Sequence, residues 1–141
     1  MIRTSLTAFV LVAIAGSLAA APMLTISPVS QPVFEGHTVD VSVGISGLNA
    51  GGPPGVGSFD LTILYNPSLL SSPTVTFSTF LGDPVTEAIT GTTAGTGSIE
   101  AAEVSLLTSA QLFARQPASF SLFDLSFIAA ASGTVTFSFQ R

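Results

Sequence analysis

Eight carboxylates and one imidazole are the only side chains here suited to proton transfer near neutral pH or to metal ligation. A Ser/His/Asp triad would have to use His37, the single histidine. That residue sits in Glu35-Gly36-His37, which reads as a turn entering a strand, so His37 is expected to be exposed or capping rather than catalytic. No Gly-x-Ser-x-Gly elbow occurs, and the glycine-rich stretch 51–57 lacks the lysine and helix of a phosphate-binding loop. Paired carboxylates could hydrolyse a glycosidic bond. Glu100 and Glu103 are the nearest pair, with Asp60 and Asp124 on other segments, and in a chain this poor in charge they read as solubilising positions. Calcium needs clustered oxygen ligands. Asp83 and Glu87 flank a loop and offer two, without the Asp-x-Asp spacing of a dedicated site. Catalytic, cofactor and metal residues are accordingly expected to be none, with Ca2+ the one ion worth weighing, and no partner-binding residue is singled out.

The elements that would carry these residues are strands. Phe59, Leu61, Ile63 and Tyr65 alternate with Ser58, Asp60 and Thr62, the pattern of a strand with one buried face. It runs into Asn66-Pro67, where the proline has no N–H for a ladder, so the chain must turn before Leu69 and Leu70 return to the core. Segment 38–46 alternates most cleanly, with Val39, Val41, Val43 and Ile45 on one side. Segment 23–27, between Pro22 and Pro28, reads as an edge or entry strand, and segments 74–80, 98–106, 120–129 and 134–140 complete seven strand candidates. Two of them slip phase. A β-bulge near Ala101-Ala102 would bring Ile99, Ala101, Ala102, Val104 and Leu106 to one face, and in 120–129 either another bulge sits at Leu122-Phe123 or both faces are covered there. Residues 47–57 read as a long loop, and 90–97 as a mobile Gly/Thr loop. Residues 107–115 read as one or two helical turns, capped by Thr108 or Ser109 and ended by Pro117.

Composition narrows the class further. Residues 1–19 (one basic residue, the apolar run 6–15, then Gly16-Ser17-Leu18-Ala19) read as a secretory signal peptide cleaved after Ala19. Gly16, Ser17 and Pro22 interrupt the apolar run that a stable membrane span would need. Residues 20–141 then form one domain, of a size that builds a core unaided. There is no cysteine, which excludes disulfides and thiolate metal sites. Without Arg3, two arginines stand against eight acids and there is no lysine, so the net charge is 2 − 8 = −6. Nucleic acid and anionic lipid both need a cationic surface and are excluded as partners. Aromatic sugar platforms have little to draw on: tryptophan is absent and Tyr65 falls on the buried phase. Strands so sparsely charged also leave edges open to self-association.

The Tyr65-Asn66-Pro67-Ser68-Leu69-Leu70 corner resembles the third-strand region of cohesin-type modules. The segments Phe80-Leu81-Gly82-Asp83-Pro84, Glu103-Val104-Ser105-Leu106-Leu107 and 116–127 are similar to the same family in form and order. Across about residues 23–141 the chain resembles the cohesin-like domain of bacterial secreted proteins, the type found in exosortase-sorted proteins that end in a Pro-Glu-Pro tail. That resemblance implies an all-β jelly-roll sandwich of the cohesin or carbohydrate-binding-module type. It also implies a secreted, non-catalytic module of the bacterial cell surface or extracellular matrix that binds a protein partner, dockerin-like or a second copy. A polysaccharide bound through loops 47–57 or 82–97 is the alternative. The sequence departs from the pattern at Asn66, where many members carry Asp. It also reaches Arg141 directly after a strand, so the last strand is expected to be lacking and part of the core uncovered.

Overall fold

The computed structural model describes residues 20–141, and the expected signal peptide at 1–19 lies outside them. The chain runs β1 (Met23–Ser27), β2 (Ser30–Val33), β3 (Thr38–Ser46), β4 (Ser58–Leu64), β5 (Leu70–Phe77), β6 (Ala88–Gly95), β7 (Ser98–Ser105), α1 (Ser109–Arg115), β8 (Phe120–Ala129), β9 (Gly133–Thr136) and β10 (Ser138–Phe139). Two four-stranded antiparallel sheets face each other: a first sheet in the order β1-β3-β8-β5 and a second in the order β10-β4-β7-β6. The short pair β2-β9 stands apart from both. The architecture is an all-β jelly-roll sandwich.

Alternation decides which side chains fill it. Val39, Val41 and Val43 of β3 are buried, while Thr38 and Asp40 are exposed. On β8 the bulge falls where the phase slip requires it: Val43 pairs with Phe123 and Gly44 with Ser121, so Leu122 is the extra residue. Both Leu122 and Phe123 are thereby turned into the core, which no regular strand allows. The two sheets meet through aromatic rings. Phe59 of β4 stacks on Phe123 at 5.6 Å, and Tyr65 packs on Phe127 at 4.8 Å. The corner after β4 turns as expected: the Asn66 side-chain oxygen accepts from the Ser68 N–H at 2.9 Å, and its carbonyl accepts from Leu69 and Leu70. Thr108 caps α1 in a reciprocal capping box with Gln111.

Four expectations are corrected. The register of β7 against both β4 and β6 is continuous, so there is no bulge at Ala101-Ala102. The strand keeps a single phase by turning Glu103 inward and Val104 outward. Residues 90–95 belong to β6 rather than to a mobile loop, because a threonine-rich stretch pairs fully with β7 and only the tip at 96–97 turns. The strand expected at 74–80 starts at Leu70 and ends at Phe77, with Pro73 in an irregularity between Ser71 and Thr74 where its missing N–H breaks no ladder bond. The last segment is split: β9 pairs with β2, and Ser138 and Phe139 cross to pair with Leu64 and Ile63 of β4. Beyond those two residues the outer edge of β4 has no strand neighbour among the described residues, and neither has the outer edge of β1.

Candidate functional site

The carboxylates do not converge, and among the described residues no three His, Asp or Glu side chains are grouped as metal ligands. His37 is exposed and edge-on to Phe34 at 6.2 Å. Asp83 and Glu87 do share a loop, but donors of the chain itself already engage one Asp83 oxygen and both Glu87 oxygens. The Asp83 carboxylate accepts from the N–H groups of Val85 and Thr86 at 2.9 and 3.0 Å, which holds its pKa below the ordinary value. Glu87 makes a two-pronged ion pair with Arg115 at 2.7 and 3.1 Å and also accepts from the Asp83 N–H. The guanidinium, then that N–H, lowers the Glu87 pKa. This arrangement pins the loop to α1. Asp124 accepts from Ser121 at 3.1 Å, and Ser121 in turn accepts from Ser42.

Glu100 and Glu103 lie three residues apart on β7 and therefore on opposite faces. Glu100 is partly exposed on the outer face, as a solubilising residue should be. Glu103 is not: it is 0 % exposed, opposite Phe59 of β4, and neither carboxylate oxygen has a hydrogen-bond partner. Loss of hydration pushes its pKa up to about 7. The solubilising reading of Glu103 is thus overturned, because the strand could keep Ile99 and Ala101 inward only by taking Glu103 with them.

The same choice of phase creates the feature that the sequence reading missed. The outer face of the second sheet is a lattice of cross-strand rows, Ser58-Val104-Ile89, Asp60-Ala102-Gly91, Thr62-Glu100-Thr93 and Leu64-Ser98-Gly95. Ile89 and Val104 are direct neighbours, 62 % and 49 % exposed, and Leu106 just beyond them is 61 % exposed. Three branched aliphatics thus stand together in water at one end of the face. Asp60 and Glu100 bring negative charge to its middle, and Gly91 and Ala102 keep the surface low between them. The outer face of the first sheet differs, presenting mostly hydroxyls (Thr38, Ser42, Ser126, Thr74 and Thr76) with Asp40 and Asp124, and its exposed aliphatics Ile128 and Met23 stand on different strands that are not neighbours. Grouped exposed aliphatics on a flat sheet face are the usual mark of a surface that meets another macromolecule.

No family profile and no curated protein matches the sequence. Solved structures do match the fold. The sixth cohesin of scaffoldin B from Acetivibrio cellulolyticus, solved in complex with a Cel5 dockerin mutant, superposes with a TM-score of 0.61 at 17 % identity over 77 % of this chain and 75 % of that one. The fold is cohesin-like. The seventh type I cohesin of ScaB from Pseudobacteroides cellulosolvens gives 0.59 at 13 % identity, covering 77 % and 68 %. A type II cohesin–X–dockerin complex from A. cellulolyticus gives 0.61 at 12 %, covering 84 % and 75 %. Within this cohesin-like sandwich, no helix among the described residues is long and apolar enough to cross a membrane.

Proposed function

We propose that this chain is a non-catalytic binding module whose outer β10-β4-β7-β6 face docks a protein partner. The observation that carries this is the aliphatic group Ile89, Val104 and Leu106, exposed together beside Asp60 and Glu100. An apolar end supplies binding energy on contact, and the acids set orientation and exclude anionic competitors. The partner class this favours is a dockerin-like module, since the matching cohesins include some solved with dockerins. Such a partner would present an apolar helix or strand face flanked by basic residues. The leader-like N-terminal sequence supports a location outside the cell, at a bacterial surface or in an extracellular matrix. The polysaccharide reading has less support: Phe34 is the only exposed aromatic ring among the described large hydrophobics, and one ring makes a poor sugar platform.

The test is capture from the culture supernatant of the bacterium carrying the gene, with wild-type and Val104→Asp chains immobilised in parallel. The expected result is a protein captured by the wild type only, whose direct titration against the purified module weakens at least about tenfold with Val104→Asp or Ile89→Asp. Capture that both chains share, or retention on polysaccharide alone, would refute the proposal.

A further inference from the structure

We infer that β1 and the groove beside it form a second docking site, which accepts as an added strand an extended segment whose only charge is a basic residue at one end. The first observation is the bare edge. β1 pairs with β3 on one side through all five residues, and nothing among the described residues pairs with the other side. Alternate residues of Met23–Ser27 therefore aim N–H and C=O groups outward, and only an extended chain meets such a row in full.

The second observation is the gap beneath that edge. Leu24 lies on the same face of β1 as the buried Ile26, the face turned toward the core, yet it is 38 % exposed. It borders a cavity of about 440 Å³ with Ile26, Val29, Phe137 and Phe139, and another of about 580 Å³ with Ile45, Leu48, Val56, Phe59 and Leu61. The two lie on either side of Leu24, so an apolar trough follows β1 between the two sheets. An added strand would send every second side chain into that trough and the others to solvent.

Charge sets the chemistry of the occupant. Met23–Ser27 and the loop 47–57 carry no charged residue. At one end a third cavity that Leu24 also lines is bordered by Asp60 and Glu100, with Arg141 as the only cation. The segment that fits has apolar residues at alternate positions, small polar residues between them, and a basic residue at the end beside the two acids. A second copy pairing edge to edge along β1 does not meet this requirement. Its own inward side chains already point into its own core, and both troughs would stay empty.

The test uses a capped, fluorescein-labelled peptide of alternating threonine and valine, about eight residues long, with a lysine at one end or the other. Titrated into the chain, at least one of the two peptides should give a saturable rise in anisotropy. Leu24→Asp should weaken it tenfold or more while far-UV circular dichroism stays unchanged, and N-methylation of alternate peptide amides should abolish it. Ile89→Asp, on the partner face, should leave it unaltered, so this site and the proposed partner face fail independently. Absence of saturable binding, equal binding by Leu24→Asp, or indifference to N-methylation overturns the inference. So does a dimer in sedimentation that Leu24→Asp dissociates, because the edge would then belong to a second copy.

Discussion

Replacing Glu103 should stabilise this protein, and the gain should grow with pH. In the unfolded chain this carboxyl ionises at its ordinary value of 4.5, and in the sandwich only at about 7. Below pH 4.5 both states hold the proton, and the group costs nothing electrostatically. Between 4.5 and 7 the folded state keeps a proton that the unfolded state has released, so stability falls as pH rises. Above 7 the cost is constant. The displacement from 4.5 to about 7, at about 1.4 kcal/mol per pH unit, amounts to about 3 kcal/mol. Glu103→Gln has nearly the same shape and cannot ionise, so its advantage over wild type should be near zero at pH 4 and should approach about 3 kcal/mol at pH 8. Glu103→Leu should add to this at every pH, because it also removes two polar atoms that have no partner. Asp83 and Glu87, whose pKa values are lowered, lose their contribution on the acid side of this window and leave the slope above 4.5 to Glu103. Urea titrations of wild type and Glu103→Gln at half-unit steps from pH 4 to 8 measure the difference directly. Parallel curves would refute the reasoning and would mean that Glu103 is hydrated in solution.

Two further substitutions probe what holds the ends of the sandwich. The Gln116 side chain, itself buried, accepts from the Val56 N–H at 2.8 Å and donates to the Val56 carbonyl at 2.7 Å and the Phe80 carbonyl at 3.3 Å. Gln116→Ala leaves those backbone groups unsatisfied and should cost about 2–3 kcal/mol in a denaturant titration, and a loss under about 0.5 would show that water replaces it. Gly97 turns the β6-β7 tip with φ +74, and a Cβ there would come 2.9 Å from the Tyr65 carbonyl oxygen. Gly36 has φ +80 with open space around it. Gly97→Val should therefore lower the melting temperature by clearly more than Gly36→Val, and equal losses would mean that backbone conformation alone sets the cost.

What could be read in advance was whatever alternation encodes. Val39, Val41 and Val43, the corner at Asn66-Pro67, the cap at Thr108 and the bulge at Leu122-Phe123 were all legible, because each rests on residues within a few positions of one another. Glu103 and Val104 were not. Local pattern ranks a valine inward and a glutamate outward, and here the register set by β4 and β6 on either side reverses both. β6 was hidden by composition, since Thr-Gly-Thr-Thr-Ala-Gly has turn-forming glycines but becomes a strand once β7 offers a full ladder. The short β2 was hidden by Pro32. The edge position of β1 was legible from Pro22 and Pro28 on either side of it, but which strands it borders was not, because strand order across a sheet is a property of the whole chain.

That strand order has a kinetic consequence. Of the pairings that build the three sheets, only β6 with β7 joins strands consecutive in the chain. Every other ladder must close a loop spanning at least one further element, so the chain commits much entropy before most contacts reward it. Refolding is expected on the millisecond-to-second scale of β-sandwiches. The β6-β7 hairpin is the one structure able to form early, and β8, which must meet both β3 and β5, is placed late. A chain of this kind spends that interval with sparsely charged strands exposed, so its rate of assembly matters as much to its survival as its final stability.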